Sequence, residues 1–498
     1  MRTVAAVLSL LLAGVVGAQP STRAELKLHP LFGDHMVLQQ GIAAPVWGTA
    51  EPGEEIAVAI GDQKKSAKAG ADGRWMAKLD PLKAGGPLEL TVAGKKSITL
   101  KDVLVGEVWV ASGQSNMQWS VKQSASPEPE IAAANYPKLR LFYVPRIPAA
   151  EPVRDVNAKW EVCTPETIPN FSAVAYYFGR DLQKAIDVPV GLIHTSWGGT
   201  AAELWTSKRV MESHEGLKDY VTFYQKRRET HAAQMAKFKE DSEKAKAEGK
   251  PAPKAPGNFM DASCLYNGMI APLIPYGIKG AIWYQGESNA GNAKGYQALF
   301  PAMIRNWRED WGQGDFPFLF VQLANYMKRQ ESPGESNWAE LREAQTKTLA
   351  LPKTGMAVII DIGAANDIHP KNKQDVGKRL ALWAQSQVYG KDIVYSGPLY
   401  DAIKVEGDKV RISFKQAGSG LEAKGGKLTG FAIAGEDRKF VWAEAKVEGK
   451  EVVVSCPQVA KPVAVRYAWA DNPDCNLYNQ EGLPASPFRT DDWPKPAK

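Results

Sequence analysis

The residues that could do acyl chemistry fall in four short segments. In "VWVASGQSNMQW" (108–119) an apolar run gives way at once to Ser112, Gly113, Gln114, Ser115 and Asn116. A serine here is either a helix cap or a nucleophile held at a strand's end. As a nucleophile it needs a base to take its proton. His369 in "NDIHP" (366–370) is the candidate base, and Asp367 can hold the imidazole in the right tautomer. The anionic tetrahedral intermediate then needs fixed donors. The backbone N–H groups of Ser115 and of Gly198 or Gly199 in "SWGG" (196–199), with the side-chain amide of Asn289 in "QGESN" (285–289), are the candidates. Losing one such donor typically costs about 3 kcal/mol in the transition state.

These segments share a context. The buried-type strands "EVWVAS", "VGLIHTS", "GAIWYQG", "FPFLFVQLA" and "MAVIIDI" alternate with helical patterns at 172–186, 294–311, 336–350 and 373–388. Near-continuous apolar strands alternating with helices predict a parallel sheet covered on both faces. Each polar segment then lies beyond the carboxyl end of a strand, where an open α/β sheet binds its ligands. No G-x-S-x-G elbow is present, which argues against an α/β-hydrolase fold. A metal set from Asp361, Asp367 and His369 lacks a further ligand cluster, and no metal or other cofactor is expected. His194 reads as the structural end of a strand.

The flanks read differently. Residues 25–105 are short β runs divided by Gly, Pro and Asp clusters, predicting a small sandwich, and residues 395–490 return to that pattern. Residues 106–392 form the expected α/β domain. It is interrupted at about 207–254 by a charged, helix-prone insertion that predicts a solvated helical pair or arm, with a partner-binding arm as the alternative.

The 498-residue length implies more than one domain. The net charge of +6 is scattered and makes no basic stripe, so nucleic acid is a poor partner. The first 18 residues carry Arg2, an apolar core from Val4 to Val16 and the small pair Gly17-Ala18, the pattern of a secretory signal. That predicts a secreted or periplasmic protein with no membrane anchor; the sequence leaves the oligomeric state unknown. Export permits disulfides: Cys456 with Cys475 is the most local pairing, leaving Cys163 with Cys264, and four free thiols are the alternative.

"GQSNM" (113–117), "WYQGESNA" (283–290) and "DIHPKNK" (367–373), with "TSWGGTAAELW", "LYNGMIAPL" and "LFGDHMVLQQG", resemble the sialate O-acetylesterase family of the SGNH hydrolases. The resemblance covers most of the chain. It implies an SGNH-type, flavodoxin-like parallel sheet hydrolase domain flanked by β-sandwich domains, and removal of acetyl esters from sugars through an acetyl-serine. It makes Ser115 the nucleophile, His369 the base and Asp367 its acid. Gly198, Gly199, Gln285, Gly286, Glu287, Asn289, Gln114 and Asn116 become oxyanion or substrate-binding candidates. The SGNH pattern is D-x-x-H, whereas this chain has D-I-H. That leaves Asp367, a backbone carbonyl or Glu287 to orient the base. The implied substrate is O-acetylated sialic acid or another acetylated glycan such as xylan. The competing readings are a non-catalytic glycan-binding protein, supported by 15 tryptophans, and a simple-ester hydrolase.

Overall fold

The computed structural model describes residues 25–494. The signal-like stretch 1–18 lies outside the described residues. Among the described residues no helix is long and apolar enough to cross a membrane.

The centre is a mixed sheet. Its strands run in the order Trp160–Cys163, Tyr136–Tyr143, Val190–Ser196, Ser97–Gly113, Gly280–Tyr284, Phe318–Val321 and Thr354–Ala357. All are parallel to their neighbours except the edge strand Trp160–Cys163. The five expected strands are present. The strand at 136–143 was not foreseen, because "YPKLRLFY" carries Pro, Lys and Arg among its apolar residues.

Helices cover both faces. Trp109 meets Phe178 of the helix Ala173–Ile186, with ring centroids 5.0 Å apart. Trp283 lies opposite Ser112 in register, three residues on from Trp109 and so on the other face. Its ring meets Phe300 and Trp307 of the helix Ala293–Trp311. The helix Lys373–Gln387 packs on Ala173–Ile186 so closely that a Cβ on Gly377 would stand 2.5 Å from that of Tyr177.

Strand Ser97–Gly113 joins two architectures. Its first half pairs antiparallel with Gly85–Ala93 in the amino-terminal β region, and its second half is the middle strand of the central sheet. Seventeen residues span about 55 Å. The burial pattern changes with the role: it alternates up to Asp102, then stays fully buried from Val103 onward. The sequence boundary drawn between residues 105 and 106 therefore falls inside one unbroken strand. One hydrophobic core runs through both regions.

The carboxy-terminal region has its own core, with Val410, Ile412, Val452 and Val454 from one four-stranded sheet and Phe431, Ile433, Val465 and Tyr467 from another. Arg342, fully buried on the helix Asn337–Lys347, joins this region to the central one by donating to the carbonyls of Leu323, Ala324, Ala470 and Asp471. Within the charged insertion a short helix, Lys208–Ser213, precedes a 30-residue one, Lys218–Ala247, which buries only Tyr220 and Tyr224. All four cysteines are free thiols, so neither candidate disulfide forms.

Candidate active site

The central strand was the first to enter the parallel sheet, and later strands were added on both sides of it. That makes its carboxyl end a topological switch point, where adjacent loops diverge and leave a crevice. Gly113 ends the strand at φ +138, and a Cβ there would stand 2.1 Å from the Tyr284 carbonyl oxygen. Only glycine lets the two backbones approach so closely. Gln114 N–H then donates to that same Tyr284 carbonyl at 3.0 Å, and Trp197 N–H donates to the Gly113 carbonyl at 3.1 Å. The turn is pinned from both neighbouring strands, and Ser115 opens the short helix Ser115–Gln118. The first N–H groups of a helix have no intrahelical acceptor, so the Ser115 amide is available to an anion. Ser172 anchors the other side: its hydroxyl donates to the Met117 carbonyl at 2.6 Å while accepting the Ala175 N–H as a helix cap.

His369 comes from the loop between strand Thr354–Ala357 and helix Lys373–Gln387. Its Nε2 lies 2.9 Å from Ser115 Oγ, across 254 residues of sequence. Asp367 Oδ1 accepts the backbone N–H of His369 at 2.8 Å, an Asx-type turn. The same oxygen lies 3.6 Å from His369 Nδ1, close enough for electrostatic attraction but too long for a hydrogen bond. Asp367 thus shapes the loop and sets the field beside the ring. Burial, with the Lys373 charge adding to it, holds the imidazole below its ordinary value, and Asp367 opposes that shift. Glu287, the other candidate for orienting the base, makes no hydrogen bond or ion pair with His369. Its Oε1 accepts from Asn116 Nδ2 at 2.6 Å, and its Oε2 is buried with no hydrogen-bond partner among the described residues.

The remaining candidates divide by position. Gly198 lies against Ser115: a Cβ there would lie 3.1 Å from Ser115 Cβ. Its N–H already donates to Gln118 Oε1 at 2.7 Å. Gly199 has φ +73 and faces open space. Asn289 is 4% exposed; its oxygen accepts from Ala202 N–H and Gln285 Nε2, and its amide donates to buried Glu203. The donor expected to face an oxyanion is here engaged in tying loops together. Gln285 is fully buried and also reaches the Thr200 carbonyl. Gly286 packs against Leu341 and Gln345. Gln114 Oε1 accepts the Ser288 N–H at 3.2 Å, joining the Ser115 turn to the 287–292 turn. The metal alternative does not assemble, because Arg379 grips Asp361 bidentately at 2.6 and 2.8 Å.

Three residues were missed. Trp119 stacks on the His369 ring, with centroids 4.8 Å apart and planes 16° apart. Gln118 holds the Gly198 N–H; its three-residue spacing from Ser115 on a helix was a usable signal. Lys373, with no exposed surface, donates to Asn116 Oδ1. A lysine at the start of a helix gives no sign in sequence that it is buried.

A family model described as "Carbohydrate esterase, sialic acid-specific acetylesterase" matches residues 257–385, a stretch that holds Gln285 to Asn289, Asp367, His369 and Lys373 but not Ser115. The chain is 31% identical to the sialate O-acetylesterase of Homo sapiens, over 97% of this chain and 96% of that protein. It is 33% identical to the Mus musculus protein of the same name, over 91% and 92% respectively. The solved structure of a carbohydrate acetylesterase from Xanthomonas citri superposes with a TM-score of 0.82 at 40% identity, covering 94% of this chain and 100% of that one.

Proposed function

This chain belongs to the sialate O-acetylesterase family, and we propose that it works through Ser115 as nucleophile and His369 as base. It is a carbohydrate O-acetylesterase, acting on acetyl esters. One observation carries the mechanistic reading: the 2.9 Å contact between Ser115 Oγ and His369 Nε2 at the carboxyl edge of the sheet.

Neutral His369 takes the Ser115 proton as Oγ attacks the acetyl carbonyl. The tetrahedral oxyanion is received by the Ser115 N–H and by the Gly198 N–H, which exchanges Gln118 Oε1 for the developing charge. Imidazolium, stabilised by the nearby Asp367 carboxylate, then protonates the departing sugar oxygen. Water, deprotonated by His369, attacks the acetyl-Ser115 carbonyl, and its collapse releases acetate and restores the hydroxyl.

The finer assignment is an O-acetylated sialic acid, the substrate that the relatives' names give for those proteins. It is supported by an exposed cation near the nucleophile. The Arg146 guanidinium lies 5.9 Å over the ring of Trp197, the residue before Gly198. An arginine so placed suits a sugar carboxylate, and an indole face suits a sugar ring. Export from the cytoplasm is part of the proposal and rests on the first 18 residues. The test is acetate release from O-acetylated sialosides and from acetylated xylan, with Ser115→Ala as the blank and a fluorophosphonate mapped to its site of attachment. Labelling at Ser115 and faster release from sialosides are expected. An active Ser115→Ala variant ends the serine mechanism; preference for xylan ends the sialate assignment alone.

A further inference from the structure

Lys373 contradicts its surroundings. It is the first residue of a helix, where the backbone dipole disfavours a cation, and it is fully buried, where desolvation disfavours any charge. Its ammonium donates to Asn116 Oδ1 and lies 5.4 Å over the Tyr284 ring and 5.9 Å over the Trp119 ring. Asn116 carries the contact onward. Its Nδ2 donates to Glu287 Oε1 at 2.6 Å and to the Ile368 carbonyl at 3.0 Å. The amide therefore bridges a buried cation and a buried carboxylate that do not touch each other. It also joins three chain segments: the turn bearing Ser115, the turn bearing Glu287, and the loop whose next residue is His369.

We propose that Lys373 is a positioning residue for the esterase reaction: acting through Asn116, its ammonium holds the nucleophile turn and the histidine loop in register. The inference rests on the serine–histidine reading above. The geometry leaves little slack. Asn116 follows the nucleophile directly, Ile368 precedes the base directly, and both are fixed by one amide whose orientation the two flanking charges impose. With oxygen toward Lys373 and NH2 toward Glu287, the amide cannot flip without facing like against like. A small loosening here would move Ser115 Oγ relative to His369 Nε2, and displacements of that kind can cost about 100-fold in rate.

The ammonium has a second, electrostatic reach. The charges acting on His369 are Lys373 from the helix, which keeps it neutral, and Asp367 from its own loop, which opposes this. Glu287, from the 287–292 turn, and Asp367 both stabilise the Lys373 cation, while burial draws it down to about 7. Removing the cation therefore has a sign: the imidazole protonates more readily, so the acid limb of the pH profile moves up.

The experiment compares Lys373→Met, Lys373→Gln and Lys373→Arg in the full chain. Steady-state kinetics on an acetyl ester, the pH profile of kcat/KM and thermal unfolding are measured for each. For Lys373→Met the expectation is a kcat lower by about 10- to 100-fold with KM changed less than about threefold, and an acid limb at higher pH. Lys373→Gln can still donate to Asn116. It should recover part of kcat while keeping the raised acid limb, and Lys373→Arg should leave that limb in place. Should Lys373→Met fail to fold, the glutamine and arginine variants decide alone. A folded variant without the charge that keeps both the wild-type kcat and the wild-type acid limb overturns the proposal. So does a loss of kcat with an unmoved acid limb. The Ser115→Ala blank is separate: if it stays active, the serine mechanism has failed, whatever Lys373 does.

Discussion

The imidazole of His369 lies flat against the indole of Trp119, with centroids 4.8 Å apart and planes 16° apart. The two residues come from separate loops that meet at Ser115. Trp119 caps the short helix that begins at Ser115, and its Nε1 is fixed by donation to the Gln123 carbonyl at 2.8 Å. Among the described residues no hydrogen bond at Nδ1 holds the ring, so this stacking and the Ser115 contact set its orientation. Trp119→Ala should lower kcat about tenfold, equivalent to roughly 1.4 kcal/mol of barrier. Trp119→Phe, which keeps a flat surface, should recover most of it. Steady-state assays on an acetyl ester check this; full activity in the alanine variant would show that the ring orients itself.

As the proposed base His369 works only when neutral, and burial with Lys373 holds it below the ordinary 6.5. Activity should therefore persist below pH 6.5 and fall away only as the pH drops through the lowered value. The acid limb of kcat/KM reports this directly.

Asp367 pulls the other way on the same titration. Asp367→Asn keeps an oxygen for the His369 N–H but loses the charge, so the acid limb should move to lower pH. Because Oδ1 stands 3.6 Å from Nδ1, the loss in kcat should be on the order of tenfold rather than the roughly 10⁴-fold seen where the carboxylate bonds the ring directly. Asp367→Ala, which also releases the turn, should cost more. A 10⁴-fold loss in the asparagine variant would mean that the carboxylate closes on Nδ1 during turnover.

Gly113→Ala would place a methyl group 2.1 Å from the Tyr284 carbonyl oxygen, at a φ of +138. Strain and overpacking together should cost about 3 kcal/mol of stability. A lowered thermal midpoint is expected, with loss of Ser115 labelling as the turn shifts. An unchanged midpoint would mean that the central strand and Gly280–Tyr284 separate more easily than their pairing implies.

Arg342→Met tests the junction between the central and carboxy-terminal regions. It removes the guanidinium's donors from four carbonyls at 2.7–2.9 Å, three of them buried. Leaving such groups unpaired should cost about 3 kcal/mol or more. Differential scanning calorimetry should show a lower midpoint. Wild-type stability would mean that the two cores are held together elsewhere.

Much of this was legible in the sequence because it is local. The helices expected at 172–186, 294–311, 336–350 and 373–388 occur at Ala173–Ile186, Ala293–Trp311, Asn337–Lys347 and Lys373–Gln387. Apolar period and capping residues such as Ser172 and Asn372 act within a few positions. The placement of Ser115 and His369 past strand ends follows from the same patterns, since parallel strands deliver their carboxyl ends to one edge. The tertiary structure decided how polar groups pair once that edge is formed. Asn289 turns to Glu203, Gly198 to Gln118, Asp367 to a backbone N–H, and Lys373 to an amide 257 positions away. Whether a lysine is solvated or buried, and whether an aspartate reaches a ring or stops short of it, depends on shifts of an ångström between segments remote in the chain. Neither periodicity nor motif spacing carries that information, because hydrogen bonding selects partners by distance and angle in the folded molecule.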